Sequence, residues 1–364
     1  MPGGEVVAGN LSREGKSIIE RVGIEADGLD RSTVIIENKK SLCDYSIQEG
    51  VEVKNIKRAL DENGGLKDYW WKLIEKDKDE FTKRVEKGLH QGYFVRIKKG
   101  IKAQNLVQTC LYISKPGLSQ RVHNIIVAEE GSDVTIVTGC LVGDKIARAE
   151  HLGITEIFVG KGARVSFNMI HHWGKEVKVW PRTAVEVSGG GVFESNYVCL
   201  KPVKYFQSNP ICRLKGRNSR AYFNSYVLAH PGSFIDIGSS VIADGSGAKA
   251  EVVSRIVSSG GVVINRGLMV GNAKGVKTHL DCGGLILSDG GKIKAIPEIE
   301  ANLPDLEMTH EAAVGKVSKE AVEYLMSRGI REKEAISLIV RGFWQEAARV
   351  LPQAVALEVE RFTF

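Results

Sequence analysis

A mainly β chain wound as a parallel β-helix, flanked by helical modules at both ends, is the fold that three features of the sequence predict. Its 40 glycines in 364 residues exceed the roughly 7% of ordinary usage and ask for an architecture of repeated tight turns. A turn followed by an alternating strand recurs in EEGSDVTIV, GKGARVSFN, SGGGVFESN, HPGSFIDIG, SSGGVVINR and SDGGKIKAI. The glycines of that phrase, Gly131, Gly162, Gly190, Gly232, Gly260 and Gly290, are separated by 31, 28, 42, 28 and 30 residues, an imperfect internal repeat.

The elements follow in order. Residues 12–92 read as helical: VKNIKRAL stops at Asn63, Gly64 and Gly65, and LKDYWWKLIEKDKDEFTKRVEKGL continues with mixed apolar and charged spacing. Residues 1–92 are therefore expected to be an N-terminal helical region, with 75–87 a solvated helix face. From Tyr93 onward the runs are short, rich in Val, Ile and Phe, and each follows a turn. A period near thirty without helices excludes doubly wound and TIM-barrel layouts, which need a helix between parallel strands. Residues 93–313 are predicted as the β-helix core, whose coils stack about 4.7 to 4.9 Å apart; a β-sandwich is the alternative.

After Ala313 the pattern turns helical again. KEAVEYLMSRG follows Ser318 and ends on Gly329, a helix C-terminus. In REKEAISLIVRGFWQEAARVL the residues Ile336, Ile339, Val340, Phe343 and Ala347 form one apolar stripe. Pro352 breaks it, and QAVALEVERF is expected as a last helix within the C-terminal region 314–364.

With 43% hydrophobic residues and 9 prolines the chain can bury a sizeable core. Its first twenty residues lack a basic head and apolar core, and no stretch reaches the roughly 18 apolar residues of a membrane span. The expectation is a cytoplasmic protein without a membrane partner. The 6 cysteines are spread along the chain and read as reduced thiols. A net charge of +6 from 50 basic and 44 acidic residues describes a mixed surface, so no nucleic-acid partner is expected.

No GxxxxGK[ST] loop, CxxC pair, HExxH or GxSxG is present, which argues against ATP hydrolysis, a closed zinc site, a zincin or a serine hydrolase. What remains is His279 and Cys282 in KTHLDCGGLIL, then His310 and Glu311 in LEMTHEAAVG. Thiolate, imidazole and carboxylate together suit iron. Cys282 and His310 are 28 residues apart, one unit of the glycine period, which would set them at nearby positions on adjacent coils. The plainer reading is a buried small hydrophobe and a hydrogen-bonded turn residue. In the HHW stretch, strand alternation admits one histidine to the core and sets Trp173 on the face opposite His172. Cys212, in NPICRLKGRNS, reads by itself as packing.

The stretch from HLDCGGLIL through IPEIEA, HEAAVG and RGIREKEAISLIVRGF closely resembles the C-terminal signature of the SufB/SufD family of iron–sulfur cluster assembly scaffolds. The likeness extends more weakly through ICRLKGRNS and FNMIHHW, covering roughly residues 150–357. It implies a right-handed β-helix, a nascent [2Fe-2S] or [4Fe-4S] cluster at a subunit interface, and one SufC-type ABC ATPase on each C-terminal helical region. Carried over residue by residue, Cys282 matches the essential thiolate ligand, Glu311 the carboxylate beside it, and His310 the histidine that D-type partners also supply. The segment that opens on Gly329 and closes on Phe343 matches the ATPase-docking helix. His171 and Trp173 fall on an interior polar residue and tryptophan, and Cys212 on an interior cysteine, a set that would line a sulfur path. The chain departs from larger B-type members at Thr309, where they have glutamate, and at Leu152, where they have cysteine. HEAAVG combines features of both subunit types, which implies a homodimer passing its cluster to apoprotein acceptors, a scaffold rather than an enzyme.

Two rivals stand beside this reading. A carbohydrate-active β-helix enzyme would need clustered carboxylates on an exposed strand face, and only Glu298, Glu300, Asp305 and Glu307 offer them. A D-type structural subunit would support a different partner and bind no metal unaided.

Overall fold

The computed structural model describes residues 11–26, 30–62, 64–348, 356, 359 and 360; most of the helix expected in QAVALEVERF lies outside them, as does the Ala347 side chain. In chain order the strands open with β1 (Ser32–Glu37), β2 (Lys40–Tyr45), β3 (Val51–Asn55) and β4 (Tyr93–Ile97). Next come β5 (Val107–Ile113), β6 (Ser119–Ala128), β7 (Asp133–Val142), β8 (Arg148–Val159), β9 (Arg164–His172) and β10 (Glu176–Val187). The middle is β11 (Val192–Cys199), β12 (Tyr205–Ser208), β13 (Ile211–Leu214), β14 (Arg220–Ala229) and β15 (Phe234–Ala243). The last coils are β16 (Lys249–Ser258), β17 (Val262–Gly271), β18 (Lys277–Ile286), β19 (Lys292–Ala301) and β20 (Glu307–Lys316).

These strands form the predicted parallel β-helix. Sheet A runs β2-β1-β5-β7-β9-β11-β14-β16-β18-β20, and sheet B runs β19-β17-β15-β12-β10-β8-β6-β4-β3, with β13 beside β10 and β15. The chain crosses from one sheet to the other at each turn, so consecutive coils pair in parallel, as in Arg220↔Lys249, Lys249↔Lys277 and Lys277↔Glu307. Alternate side chains fill the interior between the sheets: Ile235, Val241, Val252, Val263, Met269 and Leu280 are all core residues, each full burial worth about 1.5 to 3 kcal/mol. Successive coils are tied further by an amide ladder, in which Asn196 donates to Asn168 at 2.8 Å and Asn224 to Asn196 at 2.9 Å.

The irregular 42-residue step in the glycine series has a geometric cause. Gly131, Gly162 and Gly190 precede β7, β9 and β11 of sheet A, whereas Gly232, Gly260 and Gly290 precede β15, β17 and β19 of sheet B. The series changes corner, and the long step spans one and a half coils. On the first corner the later positions are Asn218, Gly247, Gly275 and Asp305, at φ of 58°, 70°, 71° and 62°. Asn and Asp tolerate that left-handed backbone better than other side-chain-bearing residues, so a search for glycine alone misses them.

The N-terminal region corrects the sequence reading. Residues 12–92 contain α1 (Arg13–Glu20), α2 (Ile56–Glu62), a 3₁₀ turn (Gly64–Asp68) and α3 (Glu80–Lys87), but also strands β1, β2 and β3. The β-branched run Thr33, Val34, Ile35 and Ile36 is fully buried and pairs in parallel with β5. β2 pairs antiparallel with β1, and β3 antiparallel with β4. Tertiary pairing decides here over local charge density. The YWWKLI stretch is no helix either, because the backbone N–H groups of Trp71, Leu73 and Ile74 donate to the Glu156 carboxylate of β8.

β20 carries the β core to Lys316, past the predicted boundary at 313. Two helices then follow, α4 (Lys319–Ser327) and α5 (Glu332–Ala348), with Gly329 at φ 88° between them, as the sequence predicts. α5 lies on the outer face of sheet A, where Val340 and Trp344 are buried with Tyr226 and Val257, flanked by Ile336, Phe343 and Leu285. The predicted stripe is thus off centre: Ile339 is only half-buried, and the anchor is Trp344, fully buried. No helix among the described residues is long and apolar enough to cross a membrane.

Candidate functional site

The residues singled out in the sequence lie at the C-terminal end of the β-helix. In β18, Thr278, Leu280 and Cys282 are buried while His279 and Asp281 alternate with them on the outer face. Cys282 is 1% exposed and stands in register with Ser254 of β16 on one side and Ala312 of β20 on the other. Asn265 donates to the Ser254 hydroxyl at 2.7 Å. Burial pushes the Cys282 thiol above its ordinary pKa; a hydrogen bond with Ser254 and the charge of Arg255 oppose that shift, and the charge of Asp281 adds to it. At neutral pH the sulfur is therefore protonated, and a metal must displace the proton to bind.

His310 and Glu311 lie on β20, both exposed. The coil step here is 30 residues rather than 28, since Lys277 pairs with Glu307. Cys282 consequently faces Ala312, and His310 pairs with Leu280, two positions short along the same face. Glu311 pairs with Asp281 and alternates to the other face. Within one chain the predicted trio is not a single constellation.

A different trio is brought together. One ligand atom each from His279, Asp281 and Glu311 lie within 4.8 Å of one another. The His279 Nδ1 is hydrogen-bonded to the Thr309 hydroxyl at 2.8 Å. Arg255 donates to the Asp281 Oδ2 at 2.5 Å, lies 5.9 Å from the centre of the Phe343 ring, and accepts the Trp344 indole N–H on its carbonyl at 3.1 Å. Asp281 and Arg255 escaped the sequence reading. The step of 30 between Gly260 and Gly290, which belongs to this end of the β-helix, would have paired Asp281 with Glu311.

The proposed sulfur-path residues sit mid-helix. His171 is in register between Cys140 of β7 and Cys199 of β11, its Nδ1 3.0 Å from the Tyr197 hydroxyl. Trp173 packs 5.0 Å from the His171 ring and 5.3 Å from the His151 ring. His171 and Tyr197 line a cavity of about 50 Å³. Cys212 is on sheet B in register with Val185 and Val241, and neither it nor Trp173 lines that cavity.

Burial lowers the His151 pKa to about 4 and holds His171 well below its ordinary value, with the charge of His151 adding to the effect. The unfolded chain binds these protons near pH 6.5, whereas the folded one takes up that of His151 only near pH 4 and holds His171 well below its ordinary value. The contribution of the neutral imidazoles is therefore complete above about pH 6.5 and lost as pH falls toward 4, about 3 kcal/mol for His151 alone. Thermal melts between pH 7.5 and 4.5 should show Tm falling through this window and a shallower slope for His151→Gln; a wild-type Tm independent of pH would contradict the assignment.

The family described as SUF system FeS cluster assembly, SufBD core domain, matches residues 111–343. An iron-sulfur cluster assembly SufBD family protein of Archaeoglobus fulgidus is 45% identical over 347 residues, covering 95% of this chain and 93% of that protein. A SufBD family protein of Methanothermobacter thermautotrophicus is 39% identical across 97% of this chain and 88% of its own length. The iron-sulfur cluster assembly protein SufB of Bacillus subtilis is 30% identical, over 91% of this chain and 71% of that protein.

Proposed function

This chain belongs to the SufBD family of iron–sulfur cluster assembly proteins, and from that premise we propose that it is the scaffold on which a nascent cluster is built before transfer to apoprotein acceptors in the cytoplasm. The observation that carries this reading is the placing of Cys282 one strand from the unfinished end of the β-helix, with His310 and Glu311 exposed on the terminal strand. Cys282 and Glu311 face opposite sides of sheet A, so a ligand set that uses both draws on a second chain or on a shift of β20. A homodimer joined at this end supplies the first. Iron and sulfide are cargo, bound by Cys282 with Glu311 and His310, and incomplete thiolate ligation favours a transferable cluster over a permanent one.

Control falls to a SufC-type ABC ATPase seated on α4 and α5. Leu338, within the segment from Gly329 to Phe343, and Tyr324 and Met326, on the helix just before it, are large apolar side chains left exposed, which supports a docking role for α4 together with that segment. Closure of two bound ATPases would shift α5 against sheet A and alter the dimer contact. Sulfur delivery along His171, Trp173 and Cys212 would need the mid-helix packing to open, since the cavity there is small.

Anaerobic reconstitution with ferrous iron and sulfide, read by visible absorption and metal quantification, tests the scaffold reading. Thiolate-to-iron charge-transfer bands are expected in the wild type and absent in Cys282→Ala. A wild type that retains no iron would instead identify a SufD-like structural subunit of a mixed complex.

A further inference from the structure

We propose that the outer face of β18 and β20 carries a divalent-cation site distinct from Cys282, built from His279, Asp281 and Glu311 and suited to hydrated Fe(II). The three ligand atoms already lie within 4.8 Å of one another, a spacing that a single ion can bridge with little movement. Register produces this arrangement. His279 and Asp281 are two apart on one strand and share a face, and the 30-residue coil step sets Glu311 directly beside Asp281. The donor set discriminates among metals, because one imidazole and two carboxylates without a thiolate suit Fe(II) or Mn(II) better than a soft ion.

The neighbours of the site are ordered as those of a metal ligand are. Where the His279 Nδ1–H donates to Thr309, Nε2 keeps its lone pair for a metal, the usual way an outer partner fixes a ligating imidazole. Arg255 holds one oxygen of Asp281 and leaves the other available. The interior Cys282 lies on the opposite face, so this site does not share its sulfur. That the ion taken up is Fe(II) destined for a cluster rests on the scaffold reading; that a divalent cation binds here does not.

Mn(II) is the probe, titrated anaerobically into the full chain and followed by the fall of the free-ion electron paramagnetic resonance signal. The wild type is expected to bind one ion per chain. His279→Ala, Asp281→Asn and Glu311→Gln should each weaken binding by at least about tenfold, a loss seen even when an outer partner of a metal ligand is removed. Glu311→Gln is the decisive variant, since Glu311 is exposed and its replacement leaves the core intact. Cys282→Ala should bind Mn(II) as the wild type does. Absence of binding in the wild type, equal binding by His279→Ala and Glu311→Gln, or loss of binding in Cys282→Ala would overturn the proposal. Failure here with successful cluster reconstitution removes only this site, whereas Mn(II) binding without reconstitution removes only the scaffold reading.

Discussion

Replacing Glu156 by alanine is expected to destabilise the fold by about 3 to 5 kcal/mol, because several donors lose their shared acceptor at about 1 to 3 kcal/mol for each one left buried and unsatisfied. Its side chain is fully buried and accepts the backbone N–H groups of Trp71, Leu73 and Ile74 as well as the His123 Nε2–H, at 2.8 Å. Burial depresses the His123 pKa, though Glu156 opposes the shift, so a neutral imidazole faces the carboxylate. Trp70 stacks on that imidazole at 4.1 Å and Trp71 meets it edge-on at 4.5 Å. Trp71 also sits at φ 53°, a strained conformation that its surroundings must enforce. Without the carboxylate three amides lose their acceptor together, and the segment covering the outer face of sheet B loses its anchor. Urea denaturation followed by tryptophan fluorescence should show the midpoint falling sharply for Glu156→Ala and less for Glu156→Gln, which keeps one acceptor oxygen. A cost below about 1 kcal/mol, that of an ordinary hydrogen bond, would show that the segment holds itself.

The second large effect is local. Trp344→Ala is expected to detach α5 from sheet A while leaving the β-helix folded. Removing a buried tryptophan costs about 3 to 5 kcal/mol, and α5 has few other buried anchors: Ala335, Ser337 and Val340 among its described residues. The lost indole also frees the Arg255 carbonyl and loosens the ring of Phe343 near its guanidinium. Limited proteolysis should cut the variant between α4 and α5 much faster than the wild type, with the main thermal transition little changed. Loss of the main transition would instead make α5 an integral part of the core. The same variant bears on function, because Arg255 joins α5 to Asp281, so a displaced helix changes the charge balance beside Glu311.

The β-helix was legible because its signal is a period. Six turns repeated over the middle of the chain outweigh any single misjudged residue, and even the anomalous 42-residue step proved to be the same period seen from a second corner. Residues 32–55 were not legible, since their strands exist through pairing with β5 and β4, which no local window contains. In the site, Cys282 and His310 do lie on neighbouring strands as their spacing implied, but a step of 28 borrowed from the middle of the chain shifted the register by two residues. That shift matched Cys282 with His310 and concealed the pairing of Asp281 with Glu311. Trp344 was passed over for a similar reason, because a stripe counted from Ile336 through Ala347 lies one residue to the side of the face that sheet A covers.

The two ends of the β-helix differ in one respect that bears on assembly. At the N-terminal end the edges are the short strands β2 and β3, antiparallel to β1 and β4, with a register shift between Ile35 and Ile36 and charged residues Lys40, Asp44, Glu52 and Lys54, features that blunt an edge against pairing. At the C-terminal end β19 and β20 are ten residues each and are the last strands of both sheets; Pro297 and the charges of Lys292, Lys294, Glu298 and Glu300 guard β19, so the longer open edge is that of β20. A rod with two adhesive ends polymerises without limit, whereas a rod with one has a valence of one: were two copies to join head to head, only the short edges would remain open and growth would terminate at the pair.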